Sequence, residues 1–114
     1  MKLLVANRGE IARRVLRTAK RLNWETLAIF SDPDLEAAFA SEADERIRIG
    51  GPELADSYLN TEKILQICRD FDVTAVHPGY GFLSENADFA SQVTDAGVIW
   101  VGPNPQAIAS MGSK

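Results

Sequence analysis

Hydrophobic residues along the 114-residue chain follow two alternating patterns, short continuous runs and longer segments with a helical period. The continuous runs predict buried strands at residues 2–6, 26–30, 74–77 and 98–101. The periodic segments predict helices at residues 9–22, 60–71, 84–96 and 105–111, with a weaker one at 35–41. The expected inward face of the first helix is Ile11, Val15, Ala19 and Leu22. Asn60 and Ser84 are expected to cap the helices that they begin.

A different alternation marks residues 45–49, where ERIRI places an apolar side chain at every second position. This pattern predicts a strand with one solvated face, at an edge of the sheet. Because strands and helices alternate, the expected fold class is α/β: a Rossmann-like, three-layer αβα domain with a mostly parallel five-stranded sheet. Residues 1–114 should form one domain. Right-handed crossovers favour an order with the third strand at one edge, the first strand central and the fourth beside it.

Composition and charge narrow the classes of function. The chain is 46% hydrophobic and 25% charged, which is typical of a soluble globular protein. Its net charge of −4 argues against nucleic acid as a partner, and it has no run of 18 apolar residues that could span a membrane. Cys68 and His77 are the sole residues of their types, which excludes a Cys/His zinc site and an internal disulfide. Cys68 belongs to one helical stripe with Ile64 and Phe71, so we expect it to be a buried apolar side chain.

Ligands of such sheets bind outside the carboxyl ends of the strands, where the strand order reverses. In the expected order this crevice lies between the first and fourth strands, flanked by the loops NRGE at 7–10 and HPGYGF at 77–82. Tyr80 lies between two glycines there, and it either contacts a ligand or folds back over the core. We favour ligand contact, since glycines let the backbone approach a ligand closely. His77 is expected to be an oriented core histidine rather than an acid or base.

The NRGE loop lacks the features of a nucleotide site. A dinucleotide fingerprint needs G-x-G-x-x-G, whereas this loop has one glycine, and Glu10 would place negative charge at the phosphate position. Asp32 has the spacing of a ribose-binding acid, but it also suits the turn S-D-P-D. The G-x-x-x-x-G-K-[ST] loop of nucleoside triphosphatases is missing from the sequence. Glu10 and Glu85 are better explained as first-turn acids that interact favourably with a helix dipole.

The first helix has a high density of cations: Arg13, Arg14, Arg17, Lys20 and Arg21. They form either a solvated face or a contact with another protein. No nucleophile–base pair or carboxylate–histidine set can be assembled from the loops. We therefore expect the domain to be incomplete as a catalyst and to belong to a longer polypeptide.

Seven motifs, in this order and spacing, resemble the N-terminal domain of biotin carboxylase: ANRGEIARRVLRTAKRL, SDPD, ADE, SYLN, HPGYGFLSENADFA, VGP and MGSK. The resemblance spans the whole chain, and the pair ANRGEIA and HPGYGFLSEN is its most specific part. Biotin carboxylase is the ATP-grasp enzyme or domain of acetyl-CoA, propionyl-CoA, methylcrotonyl-CoA and pyruvate carboxylases. The implied fold is the pre-ATP-grasp form of the Rossmann-like domain.

The resemblance implies an enzyme that uses Mg-ATP and bicarbonate to carboxylate biotin on a carrier protein. The implied cofactors are ATP, Mg²⁺ and biotin, with the metal ligands in downstream ATP-grasp domains, so residues 1–114 should be inactive alone. The implied partners are those domains, a biotinyl carrier domain and a carboxyltransferase subunit or domain. The implied location is cytoplasmic, or the mitochondrial matrix if a transit peptide has been removed.

Two site assignments also follow from the resemblance. Tyr80, with Gly79 and Gly81 beside it, would lie on the biotin side of the active site. Lys114, which closes the MGSK motif, would contact ATP. Ser113 stands where aspartate is commoner in the family, which leaves the surroundings of that lysine open.

The first helix would lie at a homodimer interface, through Arg17 and its neighbours Arg13 and Arg21. Arg21 stands where the bacterial enzyme has glutamate, and this reversed charge argues against that particular mode of dimerisation. A second departure is Phe39, where family members usually have histidine.

Two alternatives remain open at the level of sequence. The domain could belong to another ATP-grasp ligase, such as a carbamoyl-phosphate synthetase, although a tyrosine between glycines before phenylalanine fits biotin carboxylases best. It could also be a non-catalytic binding module that uses its basic first helix.

Overall fold

The computed structural model describes residues 1–112. Its strands are β1 (Lys2–Val5), β2 (Glu25–Ser31), β3 (Glu45–Gly50), β4 (Ala75–His77) and β5 (Ile99–Trp100). Its helices are α1 (Gly9–Arg21), α2 (Ala38–Glu42), α3 (Thr61–Asp70), α4 (Ala87–Asp95) and α5 (Pro105–Gly112). Short 3₁₀ turns occupy Asp32–Asp34, Leu54–Asp56 and Phe82–Glu85. None of the helices within residues 1–112 is long and apolar enough to cross a membrane.

The five strands form one parallel sheet in the order β3-β2-β1-β4-β5, which confirms the predicted order and the edge position of β3. Strand β1 is central, and its last residue, Val5, pairs with Ala28 of β2 and His77 of β4. The carboxyl ends of these strands therefore lie at the same edge of the sheet. The order reverses between β1 and β4, as expected.

Helices cover both faces of the sheet and enclose an apolar core. Helix α1 packs on α2, and α3 packs on α4. Since right-handed crossovers move in opposite directions on either side of β1, these two pairs lie on opposite faces. The strand residues Leu4, Leu27, Ile29 and Val76 are fully buried. The α/β fold with three layers is thereby confirmed.

The face of α1 that packs against the sheet agrees with the predicted one at Ala19, and at Val15 in part, but not at Ile11 and Leu22. Its buried residues are Ala12, Leu16 and Ala19, whereas Leu22 is 54% exposed. Apolar residues cover so broad an arc of this helix that two faces fit the period of 3.6 residues. The small side chains of the alanines let the helix approach the sheet closely, so packing selects their face.

The start of α4 also differs from the prediction. Ser84 lies within the 3₁₀ turn, and Asn86 is the cap, since its Oδ1 accepts a hydrogen bond of 2.9 Å from the amide of Phe89. Both residue types are good caps, and the turn that precedes the helix decides between them. The other predicted cap, Asn60, is confirmed by its hydrogen bond of 3.1 Å from the amide of Lys63.

Candidate functional site

The buried side chain of Asn7 joins the loops that follow β1 and β4. Its Nδ2 donates to the carbonyl oxygens of Pro78, at 2.8 Å, and of Tyr80, at 2.7 Å. Its Oδ1 accepts from the amide of Arg8 at 2.8 Å. Asn7 is 1% exposed, and its hydrogen bond to Pro78 is buried, while those with Tyr80 and Arg8 are partly buried. The two loops predicted to flank the crevice are therefore in direct contact.

Glycine is required in the second loop for two different reasons. Gly79 has a φ of +67°, and a Cβ atom there would lie 2.7 Å from Nδ2 of Asn7 and 2.8 Å from Cγ2 of Ile11. Gly81 has a φ of +65°, but a Cβ atom there would meet nothing within 4 Å. Both positions need the left-handed region of backbone conformation, and only Gly79 also needs the space.

Tyr80 projects from this loop into solvent, and 75% of its surface is exposed. The alternative that it folds back over the core is therefore wrong. It lies at the rim of an apolar cleft of about 510 Å³ between α1, the loop after β4 and the segment after β5. The lining residues are Leu3, Ile11, Arg14, Val15, Thr18, Ala19, Leu22, Trp24, His77, Pro78, Gly79, Tyr80, Ser84, Val101, Gly102 and Pro103. The residues of α1 that were predicted to face the core all line this cleft, and Ala19 also belongs to the core.

His77 ends β4 at the base of the cleft and is half-buried. Its Nδ1 accepts a hydrogen bond of 3.0 Å from the amide of Gly79, which places the ring proton on Nε2. Burial lowers the pKa of this imidazole, so the neutral form prevails at neutral pH. The orientation of the histidine agrees with the expectation of a structural role, although the ring also reaches the cleft.

A second cluster of polar side chains, which the sequence did not predict, lies beside the NRGE loop. The guanidinium of Arg8 donates from Nε to Oδ2 of Asp34 at 2.7 Å and from a second nitrogen to Oδ1. The hydroxyl of Tyr58 donates to the same carboxylate and accepts from the amide of Ser31 at 3.1 Å. The hydrogen bonds from Arg8 lower the pKa of Asp34, whereas burial raises the pKa of Tyr58.

No local pattern of the sequence indicates this cluster, because Arg8, Asp34 and Tyr58 are separated from one another by 24 or more positions. The only available signal was topological, since all of them follow strands whose carboxyl ends meet. Asp32, which the sequence analysis considered as a ribose-binding acid, is instead in an exposed ion pair with Arg48, at 2.6 Å.

The arginines of α1 differ in how closely they pair with other side chains of this chain. Arg13 donates from Nε to Oε1 of Glu42 at 2.8 Å, and Arg17 lies 3.7 Å from Oε2 of the same residue. Arg21 is exposed and donates to the hydroxyl of Thr18 at 3.3 Å. Arg17 and Arg21 therefore present more free surface than Arg13.

The remaining predicted positions have mixed outcomes. Glu10 lies in the first turn of α1, as expected of an acid near a helix N-terminus. Glu85 lies in the 3₁₀ turn rather than in the first turn of α4, so that prediction was wrong. Cys68 and Phe39 are buried. Lys114 lies outside the described residues, and within residues 1–112 no group of three or more His, Cys, Asp or Glu side chains could hold a metal ion.

Two curated proteins similar to this chain are considerably longer than it. The biotin carboxylase of Halalkalibacterium halodurans is 49% identical over 99% of this chain and 25% of its own length. The biotin-dependent acyl-coenzyme A carboxylase alpha3 subunit of Mycobacterium leprae is 51% identical over 99% of this chain and 19% of its own length. The chain thus spans a quarter or less of these relatives.

Among solved structures, the biotin carboxylase domain of a thermophilic 2-oxoglutarate carboxylase bound to bicarbonate superposes with a TM-score of 0.95. It is 44% identical, and the match covers 99% of this chain and 25% of that one. Residues 1–108 match the family described as the N-terminal domain of biotin carboxylase. The chain therefore belongs to the family of biotin carboxylase N-terminal domains.

Proposed function

We propose that residues 1–114 form the N-terminal part of a biotin carboxylase, an ATP-grasp ligase that uses Mg-ATP and bicarbonate to carboxylate biotin on a carrier protein. Family membership and the biotin carboxylases among the similar proteins support this proposal. The observation that carries it is the placement of Tyr80. Its side chain is exposed where the strand order reverses, and its carbonyl oxygen accepts a hydrogen bond from Asn7. A surface tyrosine whose backbone is fixed by a buried side chain is suited to contact a ligand.

The residues of the cleft beside Tyr80 fit a bicyclic ring such as that of biotin. Tyr80 offers a flat apolar face and a hydroxyl, and the cleft beside it is lined mainly by apolar groups. Beside the ring, Gly81 leaves the backbone accessible, whereas Gly79 lets the loop pack closely on Asn7 and Ile11. This chain would hold and orient the biotin ring, while Mg-ATP, bound by other parts of the enzyme, supplies the chemistry that activates bicarbonate.

The remaining parts of the proposal concern the whole enzyme. Its ATP-grasp domains would bind the nucleotide and Mg²⁺, with Lys114 of this chain in contact with ATP. A biotinyl carrier domain and a carboxyltransferase subunit or domain would be the partners. The described residues offer no cluster of acids for a metal ion, so we assign no metal ligand to them. We place the enzyme in the cytoplasm or, after removal of a transit peptide, in the mitochondrial matrix.

Kinetics of the whole carboxylase test the role of Tyr80. Replacing Tyr80 by alanine should raise the KM for biotin about tenfold, a loss of roughly 1.4 kcal/mol of binding, with the KM for ATP unchanged. Leu35→Ala is the control, because Leu35 is also exposed, at 48%, but lies after β2 and outside the cleft. A rise in the KM for ATP with no effect on biotin would favour another ATP-grasp ligase.

A second test addresses what residues 1–114 do alone. We expect no bicarbonate-dependent ATP hydrolysis from them, and activity when the remaining domains of the carboxylase are present. A whole protein that binds ATP but never carboxylates free biotin would refute the proposed function.

We also propose that α1 contributes to a homodimer interface, with Arg17 and Arg21 more available than Arg13. A protein with both Arg13→Ala and Arg17→Ala should have the mass of a monomer in light scattering, whereas the unchanged protein should have the mass of a dimer. An unchanged mass would exclude this surface as the interface.

A further inference from the structure

The loops after four strands are linked in a closed circuit of contacts at one edge of the sheet. Asn7 holds the loop after β4 from one side and accepts from the amide of Arg8. Arg8 is paired with Asp34, which follows β2, and Asp34 accepts from Tyr58, which follows β3. The ring of Tyr58 returns to the loop after β4, because it contacts the ring of Phe82 with centroids 5.8 Å apart.

Tyr58 links the loop after β2 to the loop after β4. Its hydroxyl contacts the first loop and its ring contacts the second. Its hydroxyl donates to Asp34 and accepts from Ser31, which fixes the ring in place. Its ring lies against Phe82 on one side and within 5.8 Å of the guanidinium carbon of Arg8 on another. The residue is 1% exposed, so it has no access to the cleft and cannot itself contact a substrate.

Phe82 needs such support because its backbone has a φ of +46°, in the left-handed region that a phenylalanine seldom adopts. It follows Gly81, which also has a positive φ, so two consecutive residues after Tyr80 adopt this conformation. A residue in this region persists only when its surroundings hold it there. The aromatic contact with Tyr58 is such a constraint.

We propose that Tyr58 is a positioning residue for Tyr80. By packing on Phe82 it holds the turn Tyr80-Gly81-Phe82 in the one conformation that presents the tyrosine ring at the cleft. The consequence for biotin rests on the proposed function, whereas the link between Tyr58 and the turn depends on contacts within this chain alone.

Hydrogen exchange in the 114-residue chain tests the link directly. The amide of Ser84 donates to the carbonyl of Gly81 at 2.9 Å and reports opening of the turn, and the amide of Ala6, bonded to His77, reports opening of the sheet. Tyr58→Leu should speed exchange at Ser84 about tenfold more than at Ala6. Tyr58→Phe, which keeps the ring, should restore most of the protection.

Two further variants keep this test decisive. Phe82→Leu removes the same ring contact from a half-buried residue and should have the same selective effect, even if Tyr58→Leu does not fold. Phe39→Leu truncates a core aromatic that is equally buried, at 1%, and should affect Ser84 and Ala6 alike. Equal changes at the two amides in Tyr58→Leu or Phe82→Leu would overturn the proposal.

Kinetics of the whole carboxylase then separate this inference from the proposed function. Tyr58→Leu should raise the KM for biotin about tenfold with kcat and the KM for ATP little changed, and Phe82→Leu should add nothing further in the double variant. A selective loss of protection at Ser84 without any change in biotin KM would uphold the link between Tyr58 and the turn. It would refute the assignment of that turn to biotin.

Discussion

Replacing Gly79 by alanine should break the junction between the loops after β1 and β4. The new methyl group would lie 2.7 Å from Nδ2 of Asn7 and 2.8 Å from Cγ2 of Ile11, closer than such atoms approach in proteins. Neither neighbour can move freely. Asn7 is fixed by two donated hydrogen bonds, and Ile11 belongs to α1.

The expected loss in the free energy of unfolding of Gly79→Ala has two sources, the strained backbone and the clash with Asn7 and Ile11. A variant without the clash separates them. A left-handed backbone costs a residue with a Cβ atom about 1 kcal/mol or somewhat more. Overpacking adds about 1–3 kcal/mol, and a lost hydrogen bond of Asn7 adds about 1 kcal/mol. We therefore expect Gly79→Ala to lower the free energy of unfolding by about 3 kcal/mol or more. Gly81→Ala meets no atom within 4 Å and should lose only its backbone cost, which is about 1–3 kcal/mol for a Cβ atom at φ +65° and ψ −159°.

Urea unfolding of the three chains, followed by circular dichroism, measures both differences. The urea concentration at the unfolding midpoint should be clearly lower for Gly79→Ala than for Gly81→Ala. The dependence of the unfolding free energy on urea concentration should be similar in both. Equal losses in the two variants would show that the close contact with Asn7 does not constrain the loop. That result would refute the explanation given for the position of Tyr80.

Three further predictions concern other residues. Burial raises the pKa of Cys68 to about 11, so alkylation at about pH 8 should be about 100-fold slower in the native chain than in urea. Native labelling within tenfold of the unfolded rate would contradict this. Because Arg8 lowers the folded-state pKa of Asp34, this carboxylate stabilises the fold above its ordinary pKa of about 4 and loses that contribution as pH falls through the lowered value. Unfolding free energies from about pH 6 to pH 2 should therefore fall less steeply in Asp34→Asn, and an unchanged slope would argue against the ion pair. Asn86→Ala should cost about 1 kcal/mol through loss of the α4 cap and Ser84→Ala less than about 0.5 kcal/mol, and the reverse order in urea unfolding would restore Ser84 as the cap.

Most of the fold could be predicted from the sequence, because its signals are local. Continuous apolar runs located the strands, and the alternation in ERIRI identified β3 as an edge strand. Strand order followed from the handedness of the crossovers, and it placed the HPGYGF loop next to the NRGE loop. For Tyr80 the sequence favoured ligand contact over folding back on the core; the structure excludes the second alternative, and ligand contact stays a prediction.

The errors in the prediction share one physical cause, which is that local patterns allowed more than one solution. Two faces of α1 had a helical period, and contact with the sheet selected the one with the small alanines. Ser84 and Asn86 could both cap a helix, and the tight turn before α4 left the cap to Asn86.

By itself the sequence determined the kinds and order of the elements, since periodicity and turn residues act over a few positions. Its motifs also indicated the family and the two loops of the candidate site. Only the tertiary structure decided how those loops are held. Asn7 reaches across to the carbonyl of Tyr80, and Asp34 joins Arg8 to Tyr58. These partners lie tens of residues apart and meet because parallel strands bring their carboxyl ends to one edge of the sheet, where burial strengthens each hydrogen bond between them.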